Sequence, residues 1–213
     1  MTFPKEARNG KPKETAMART LMKLGAMALA AGVTTAATAA YAQWFGSRDS
    51  KSLPLQEVAD MLHAVMDADR TVYTQRVVNR LANQEKVITA DEHFMDKKAL
   101  PLPAQMFRFG AERAAEKNKK FSYSLLSLWP VNKQNAGRTP MEKEGLKYVV
   151  DNKGKNFYGE ETLGGKKYFT AVYPDVAISP ACVSCHNQHP ESPRTDFKLN
   201  DVMGGVVIRI PMN

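Results

Sequence analysis

Several features that mark common enzyme classes are missing from this 213-residue chain. It contains no visible Ser/His/Asp arrangement, paired-carboxylate site or phosphate-binding loop, and it shows no internal repeat. These absences give no support to hydrolytic or phosphoryl-transfer chemistry. Cysteine and histidine are scarce. Both cysteines and two of the four histidines lie in one short stretch, Ile178 to Pro190.

The chain also lacks a strongly cationic tract. Its formal net charge is +8, but residues 1–42 contribute six Lys/Arg against two Asp/Glu, so the remainder carries +4. A surface this mildly basic excludes the charge pattern of a nucleic-acid-binding protein. The length of the remainder is that of one domain.

Residues 1–42 have the pattern of a secretory signal peptide. Lys23 precedes the apolar run LGAMALAAGV, and a small-residue run ends at Ala40-Tyr41-Ala42, which is an A-x-A cleavage site. The apolar core of about ten residues is shorter than the roughly 20 that span a bilayer. Met17 is an alternative start, and a retained N-terminal anchor is the alternative to cleavage. Either way, we expect a periplasmic protein, with no stable membrane span once the leader is cleaved.

The rest of the sequence predicts an α+β domain. We expect a linker over 43–54 and the domain over 55–213. The spacing of apolar residues predicts a long amphipathic helix from Leu55 to about Asn83 and a second helix starting near Pro103. The following segments predict a strand in FSYSLLSLW, a short helix in PMEKEGLKYVVDN, a hairpin turning at Gly164-Gly165 and a final strand in VMGGVVIRIPM.

The segment Cys182-Val183-Ser184-Cys185-His186 has the C-x-x-C-H spacing of a covalent c-type haem site. Two thiols three residues apart can form thioethers to the two vinyl groups, and the next residue supplies an imidazole to the iron. Haem attachment of this type takes place outside the cytoplasm. The predicted signal peptide indicates export by a separate line of argument, so the two signals agree. The sequence therefore predicts one covalent haem c, with Cys182 and Cys185 as attachment points and His186 as proximal ligand.

Three alternatives to haem remain open for this segment. Cys182 and Cys185 could form a disulfide, although the spacing is geometrically tight. Cys182, Cys185 and His189 could bind zinc, but they would need a distant fourth ligand. A thioredoxin-like dithiol usually lies early in a βαβ pattern, whereas this motif is near the end of the chain.

Beyond the motif, several stretches resemble a family of single-haem c-type proteins with a PAS-like fold. They are YSLLSLWPVNKQNAGRTPMEKEGL, GKKYFTAVYP, ACVSCHNQHP and FKLNDVMGGVVIRIPM. The resemblance implies a sheet of about five antiparallel strands with two N-terminal flanking helices and a haem held against it. Members of that family are free periplasmic proteins or the sensory part of membrane-bound signalling proteins. Electron transfer and sensing are both compatible with the family.

The sixth iron ligand decides between these functions, and Met106 is our candidate. It falls on the apolar face of the second predicted helix, one turn before Gly110, which would allow close approach of a haem. The resemblance places this helix beside the haem, and a thioether ligand suits electron transfer. His93 lies in a charged loop and is a weaker candidate, while His63 is predicted to be a surface residue. An open or water-bound sixth site is the remaining alternative, and it would favour binding of NO or CO.

Two further features of the sequence carry predictions. Arg76 and Asp69 are placed near the middle of the apolar face of the first helix, where they pair with each other or Arg76 contacts a haem propionate. Gly204-Gly205 suggests a bulge or a strand that passes close to the haem.

Two functional hypotheses follow. The first is an exported electron-transfer or redox-responsive cytochrome that turns over no substrate and exchanges electrons with a redox partner protein or a membrane-bound component. The alternative is a gas-binding or redox sensor module that signals through a separate partner. A peroxidase reading has less support, because no distal acid-base pair is visible.

Overall fold

An antiparallel sheet lies at the centre of the computed structural model, which describes residues 52–152 and 154–212. The predicted leader and most of the predicted linker lie outside the described residues. The elements in chain order are α1 Leu55–Val72, which continues as a π-helical segment Tyr73–Gln84, β1 Thr89–Ala90, β2 Ala99–Leu100, α2 Pro103–Lys117, β3 Ser122–Leu126, α3 Pro140–Asp151, β4 Phe157–Leu163, β5 Lys166–Val176, α4 Pro180–Gln188 and β6 Val202–Pro211.

The main sheet has four strands in the order β3-β6-β5-β4, and each neighbouring pair is antiparallel. The predicted hairpin is confirmed, since β4 and β5 are joined at Gly164 and Gly165, whose φ angles are +57° and +78°. Both values are in the region that glycine adopts at low cost. The expected count of about five strands is one too high for this sheet. The two-residue strands β1 and β2 pair in parallel as a separate small sheet.

The long first helix is also confirmed, with one change. Beyond Val72 it continues for twelve residues with the wider turns of a π-helix, a form that is rare at this length. Its inner side packs on one face of the sheet through Ala59, Leu62 and Met66, against alternate residues of β5 and β6 such as Tyr173 and Ile208. This apolar cluster anchors α1 on the sheet.

The second helix, α2, lies against β3. Phe107 is buried and meets Tyr123 edge-on, with ring centroids 5.0 Å apart. Gly110 faces the same tyrosine, because a Cβ added there would lie 2.8 Å from the Tyr123 hydroxyl. The close approach that Gly110 permits is therefore between helix and strand. The predicted approach of a haem at this glycine stays a prediction.

The opposite face of the sheet is covered by α3. Leu146 and Val149 pack there against Val172 and Val207, which alternate with the residues that face α1. The helix begins with a capping box: the Thr139 hydroxyl accepts from the Glu142 backbone N–H at 3.1 Å, and the Glu142 carboxylate accepts from the Thr139 N–H at 2.9 Å.

A bulge interrupts the pairing of β5 with β6 where β5 ends. The register shifts between Asp175 and Val176, opposite Gly204. A Cβ on Gly204 would lie 2.4 Å from the Leu126 carbonyl oxygen of β3, so a larger residue does not fit between the strands. The bulge predicted for the Gly204-Gly205 pair is therefore confirmed at Gly204. The element that passes close to this glycine is strand β3.

Residues Leu53–Asn213 form a single compact unit. Among the helices that the structure describes, none combines the length and the apolar character needed to cross a membrane.

Candidate haem-attachment site

The two cysteines lie on a short helix that the sequence patterns did not predict. The helix, α4, is capped by Ser179, whose Oγ accepts from the Ala181 backbone N–H at 3.2 Å, and Pro180 occupies its first turn. Positions 182, 185 and 186 are spaced by three and four residues. On a helix, this spacing brings Cys182, Cys185 and His186 to one side.

Both thiols are free, and they differ in exposure. Cys182 is half-buried against the apolar cluster of Ala177, Phe197 and Met203, whereas Cys185 is exposed. A disulfide between them, one of the sequence alternatives, is not present in the structure. The site therefore offers two separate sulfur atoms on adjacent helical turns.

His186 has an imidazole nitrogen that nothing in the described chain satisfies. Its ring meets the Phe197 ring edge-on at a centroid distance of 5.9 Å and an angle of 89°. Its Nδ1 atom is buried and has no hydrogen-bond partner. Buried polar atoms are nearly always paired in native proteins, and an exception calls for an explanation. An imidazole that binds a metal ion or an iron-containing cofactor is one such explanation.

Loss of hydration favours the neutral forms of the groups at this site. It raises the pKa of the half-buried Cys182 thiol. The more exposed Cys185 keeps enough neighbouring chain around its thiol for partial desolvation to raise its pKa as well, and the neighbouring Cys182 and Glu92 add to the effect. Burial also lowers the pKa of His186. A redox-active dithiol needs a thiol pKa below the ordinary value, so the raised values argue against the dithiol alternative.

Zinc binding also has no support in the geometry. Within residues 52–152 and 154–212, no group of three or more His, Cys, Asp or Glu side chains converges in the way a metal ion requires. His189, the third ligand of the zinc alternative, instead lies 3.4 Å from a carboxylate oxygen of Glu92.

Two contacts hold Phe197 against the site helix. Asn187 forms a pair of hydrogen bonds with the Phe197 backbone: its amide nitrogen donates to the carbonyl at 2.9 Å, and its amide oxygen accepts from the N–H at 3.0 Å. On the other side, the Arg194 guanidinium carbon lies 4.3 Å from the Phe197 ring centroid and 4.4 Å from that of Trp129. The ring against which His186 rests is thus fixed by a backbone clamp and a cation–π stack.

An ion pair that the sequence did not reveal lies beside Cys182. Arg70, on the inner side of α1, pairs with Asp175 at the bulge of β5, and its guanidinium carbon is 5.7 Å from the Phe107 ring centroid. Burial opposes the charge of Arg70, but Asp175 outweighs it and raises the pKa of the guanidinium. The two residues are 105 positions apart, which is why no local pattern could show the pair.

The prediction for Arg76 and Asp69 is wrong about their place on the helix. Both are exposed, because the face of α1 that packs on the sheet contains Ala59, Met66 and Arg70 instead. No ion pair joins Arg76 to Asp69. Arg76 lines a cleft of about 330 Å³ between the π-helical segment and Ile178–Pro180, just ahead of the site helix. Its contact with a haem propionate stays a prediction.

The other candidate iron ligands differ in how deeply they are buried. Met106 is half-buried on α2, next to the buried Phe107. His93 is exposed in the turn after β1. His63 was expected at the surface, and this expectation is wrong: its ring stacks on that of Tyr173, with centroids 4.0 Å apart and planes 7° from parallel. Burial lowers the pKa of His63.

Most of the chain matches a known protein family. The model of the Tll0287-like family matches residues 50–211, which is most of the chain. The chain belongs to the Tll0287-like family. The resemblance inferred from the sequence is thereby confirmed.

The fold agrees with this assignment. A crystal structure described as the cyanobacterial heme-protein Tll0287 is similar to this chain with a TM-score of 0.52 and 14% sequence identity. The similarity covers 76% of this chain and 98% of Tll0287. The match shows that the two proteins share a fold over nearly the whole of the solved chain. A search of curated proteins gave no significant match.

Proposed function

We propose that this Tll0287-like protein is an exported monohaem c-type cytochrome that transfers electrons. The observation that carries the proposal is the combination on α4 of two free thiols and a buried imidazole with an unpartnered nitrogen. Further support comes from the family, since a protein with the same fold is described as a heme-protein. Cys182 and Cys185 would hold one haem through thioether bonds, and His186 would be its proximal ligand.

The protonation states at the site suit these roles. The raised pKa values keep both sulfur atoms as thiols, and a thiol supplies both the sulfur and the proton that thioether formation at a vinyl group requires. The lowered pKa of His186 keeps its imidazole neutral near pH 7, and only the neutral ring has a nitrogen lone pair to give to a metal. A haem bound there supplies a one-electron couple at its iron.

The surrounding residues position these groups. Phe197 limits the rotation of the His186 ring, and the Asn187 clamp and the Arg194 stack hold Phe197 in turn. The Arg70–Asp175 pair places one positive and one negative charge beside Cys182 with little net charge. We expect this pair to set the electrostatic potential at the attached group, because the pair is mostly buried.

For the sixth ligand we propose Met106, on the helix whose neighbouring residue Phe107 contacts Arg70. The remaining parts of the proposal follow from the sequence. They are a PAS-like arrangement of the domain, a periplasmic location, no substrate turnover, and a redox partner that is a separate protein or a membrane-bound component.

A second candidate function is a gas or redox sensor that acts through a partner. The observation that favours it is that Phe107, not Met106, is the fully buried residue of α2 nearest the Arg70–Asp175 pair. If the Met106 thioether does not reach the iron, the sixth position is available to CO or NO. The two functions therefore differ in one measurable property.

Optical spectra with and without CO separate the two candidates. With Met106 as ligand, the oxidised protein should show the weak long-wavelength band of methionine-ligated ferric haem, and the reduced protein should bind CO slowly. The substitution Met106→Ala should remove the band and allow rapid CO binding. Phe109→Ala, a change on the same helix at a more exposed residue, is the control. A wild-type protein that lacks the band and binds CO at once supports the sensor. One that lacks the band yet resists CO has a different ligand, for which His63→Ala and His93→Ala are the next variants.

A further inference from the structure

The outer side of α1 carries a row of apolar residues that nothing in the described chain covers. Met61, Val65 and Val72 are 48%, 62% and 58% exposed, and Ala68 between them is exposed as well. We call these four residues the α1 stripe. A contiguous apolar patch on a soluble protein usually marks a contact surface.

The spacing of the α1 stripe is that of a helix–helix seam. Its members are separated by four, three and four residues, which is the repeat that keeps apolar side chains on one line along a helix packed against another helix. The α1 stripe extends into the π-helical segment. A turn of that segment contains slightly more than four residues, so side chains four positions apart still lie on nearly the same side of the helix. Arg76, four residues beyond Val72, therefore extends the same line with a positive charge.

We propose that the α1 stripe is a homodimer interface, in which α1 packs antiparallel against α1 of a second copy around a twofold axis. In this arrangement the twofold axis passes between Val65 and Ala68. Met61 then contacts the partner's Val72, and Val65 contacts the partner's Ala68. Such a self-complementary contact is the usual form of a twofold interface.

Charge selects the antiparallel orientation. Glu57 lies one turn before the stripe and Arg76 one turn after it, and both are exposed. Antiparallel packing brings Glu57 opposite the partner's Arg76 at both ends of the seam. Parallel packing would instead set the two Glu57 side chains against each other and the two Arg76 side chains likewise, which is repulsive. Arg76 therefore has a place in this surface, at each end of the seam.

The cleft beside the site helix fits the same arrangement. It is lined by Arg76 and Arg80 on one side and by Ile178 and Pro180 on the other, and Ile178 is itself partly exposed. Leu53, which is half exposed just before α1, would lie at the level of the partner's Arg80. The apolar side chain of Leu53 would then enter the partner's cleft. Each copy would thus contact the segment that leads into the other's Cys182–His186 motif.

Sedimentation velocity of the full haem-loaded chain over a range of concentrations tests the proposal. The wild-type protein should be a dimer that dissociates on dilution. Val65→Glu should raise the dissociation constant by about tenfold or more, because it buries a charge at the centre of the seam. Val87→Glu, the same substitution at a residue that is 68% exposed but off the stripe, should leave the constant unchanged.

Charge reversal tests the orientation. Glu57→Arg and Arg76→Glu should each weaken the dimer several-fold, since each creates two like-charge contacts, and the double reversal should restore it to within about twofold. A wild-type protein that is monomeric at every concentration overturns the proposal. A dimer that the double reversal fails to restore overturns the antiparallel arrangement. If the wild type is monomeric and Val65→Glu exposes the leading residues to proteolysis, the stripe is covered by the chain's own N-terminal segment, and the dimer is excluded.

Discussion

The α3 face of the central sheet and the end of the sheet beside α4 differ in how fully their polar groups are satisfied. On the α3 face, Arg209 forms ion pairs with Glu142 at 2.7 Å and with Glu161 at 2.6 Å, and Thr170 donates to Glu161 at 2.8 Å. At the end of the sheet beside α4, His186 Nδ1 is buried without a partner and two thiols are unpaired. Complete pairing indicates a structural role, and incomplete pairing indicates a place for a ligand. The comparison predicts that substitutions in the two regions have separate effects, on stability at the α3 face and on haem beside α4.

The largest expected effect is loss of haem from the site helix. The variant Cys182→Ala/Cys185→Ala should contain no covalently bound haem, because the two thiols are the proposed attachment points. Haem staining of a denaturing gel measures this directly. Val183→Ala, which changes a side chain of the same helix that lacks a thiol, should keep its haem. A double-alanine variant that still stains would remove the basis for the assignment.

On the α3 face, Arg209→Gln should reduce the free energy of unfolding by about 3 kcal/mol, because it leaves two mostly buried carboxylates without their common cation. Urea denaturation gives the value. Adding Glu161→Gln should recover part of the loss, since it removes one uncompensated charge. Arg113→Gln, in an ion pair whose arginine is 73% exposed, should cost less than about 0.5 kcal/mol. The optical spectrum should not change in any of these variants. A changed spectrum would show that the α3 face and the site beside α4 are coupled.

On the α1 side of the sheet, near Cys182, lies the Arg70–Asp175 pair, and its substitution should affect the haem potential. Arg70→Gln leaves the Asp175 carboxylate beside Cys182 without its counter-ion, and this negative charge favours ferric over ferrous iron. The reduction potential should fall by an amount on the order of tens of millivolts. Redox titration measures the change. Adding Asp175→Asn should return the potential toward the wild-type value. Potentials that are equal in all three proteins would mean that the pair lies too far from the iron to act on it.

The smallest effects concern pH, and the two faces should respond in different ranges. His63 has a folded-state pKa below its ordinary value of 6.5. The unfolded chain therefore binds protons first, and the stability contributed by neutral His63 is lost as pH falls from 6.5 through the folded-state value.

Glu161 titrates lower. Burial opposes its ionisation, but hydrogen bonds from Arg209, Thr170 and Thr139 outweigh burial and hold its pKa below 4.5. Its contribution is present above 4.5 and is lost only as pH falls through the lower folded-state value. Urea midpoints measured across this range should decrease in two steps. His63→Gln should flatten the upper step and leave the lower one. An unchanged upper step in that variant would assign it to another group.

The sequence predicted the elements with strong patterns and missed those that depend on distant contacts. The first helix, the second helix from Pro103 and the hairpin at Gly164-Gly165 are all confirmed, because apolar periodicity, proline and paired glycine are local signals. The helix over the cysteine segment was missed, since it is short and has little amphipathic pattern. Its start signal, Ser179 followed by Pro180, was nevertheless present.

The errors on α1 have one physical cause. The first helix has apolar residues on two sides, one that packs on the sheet and one that forms the exposed α1 stripe. The sequence pattern does not distinguish these two apolar sides. It therefore predicted a single buried face centred on Asp69 and Arg76 and placed His63 at the surface. Arg70 was overlooked for the same reason, and its partner Asp175 could be found only once the sheet was in place.

The central claim is that Cys182, Cys185 and His186 hold one covalently attached haem. Intact-mass measurement of the exported protein after denaturation and acid-acetone extraction tests it most directly. The account predicts a polypeptide heavier by one haem, with the added mass on the peptide that contains Cys182 and Cys185 and with no thiol left to alkylate. A polypeptide of unmodified mass, with both thiols open to alkylation and the haem in the organic phase, would contradict it.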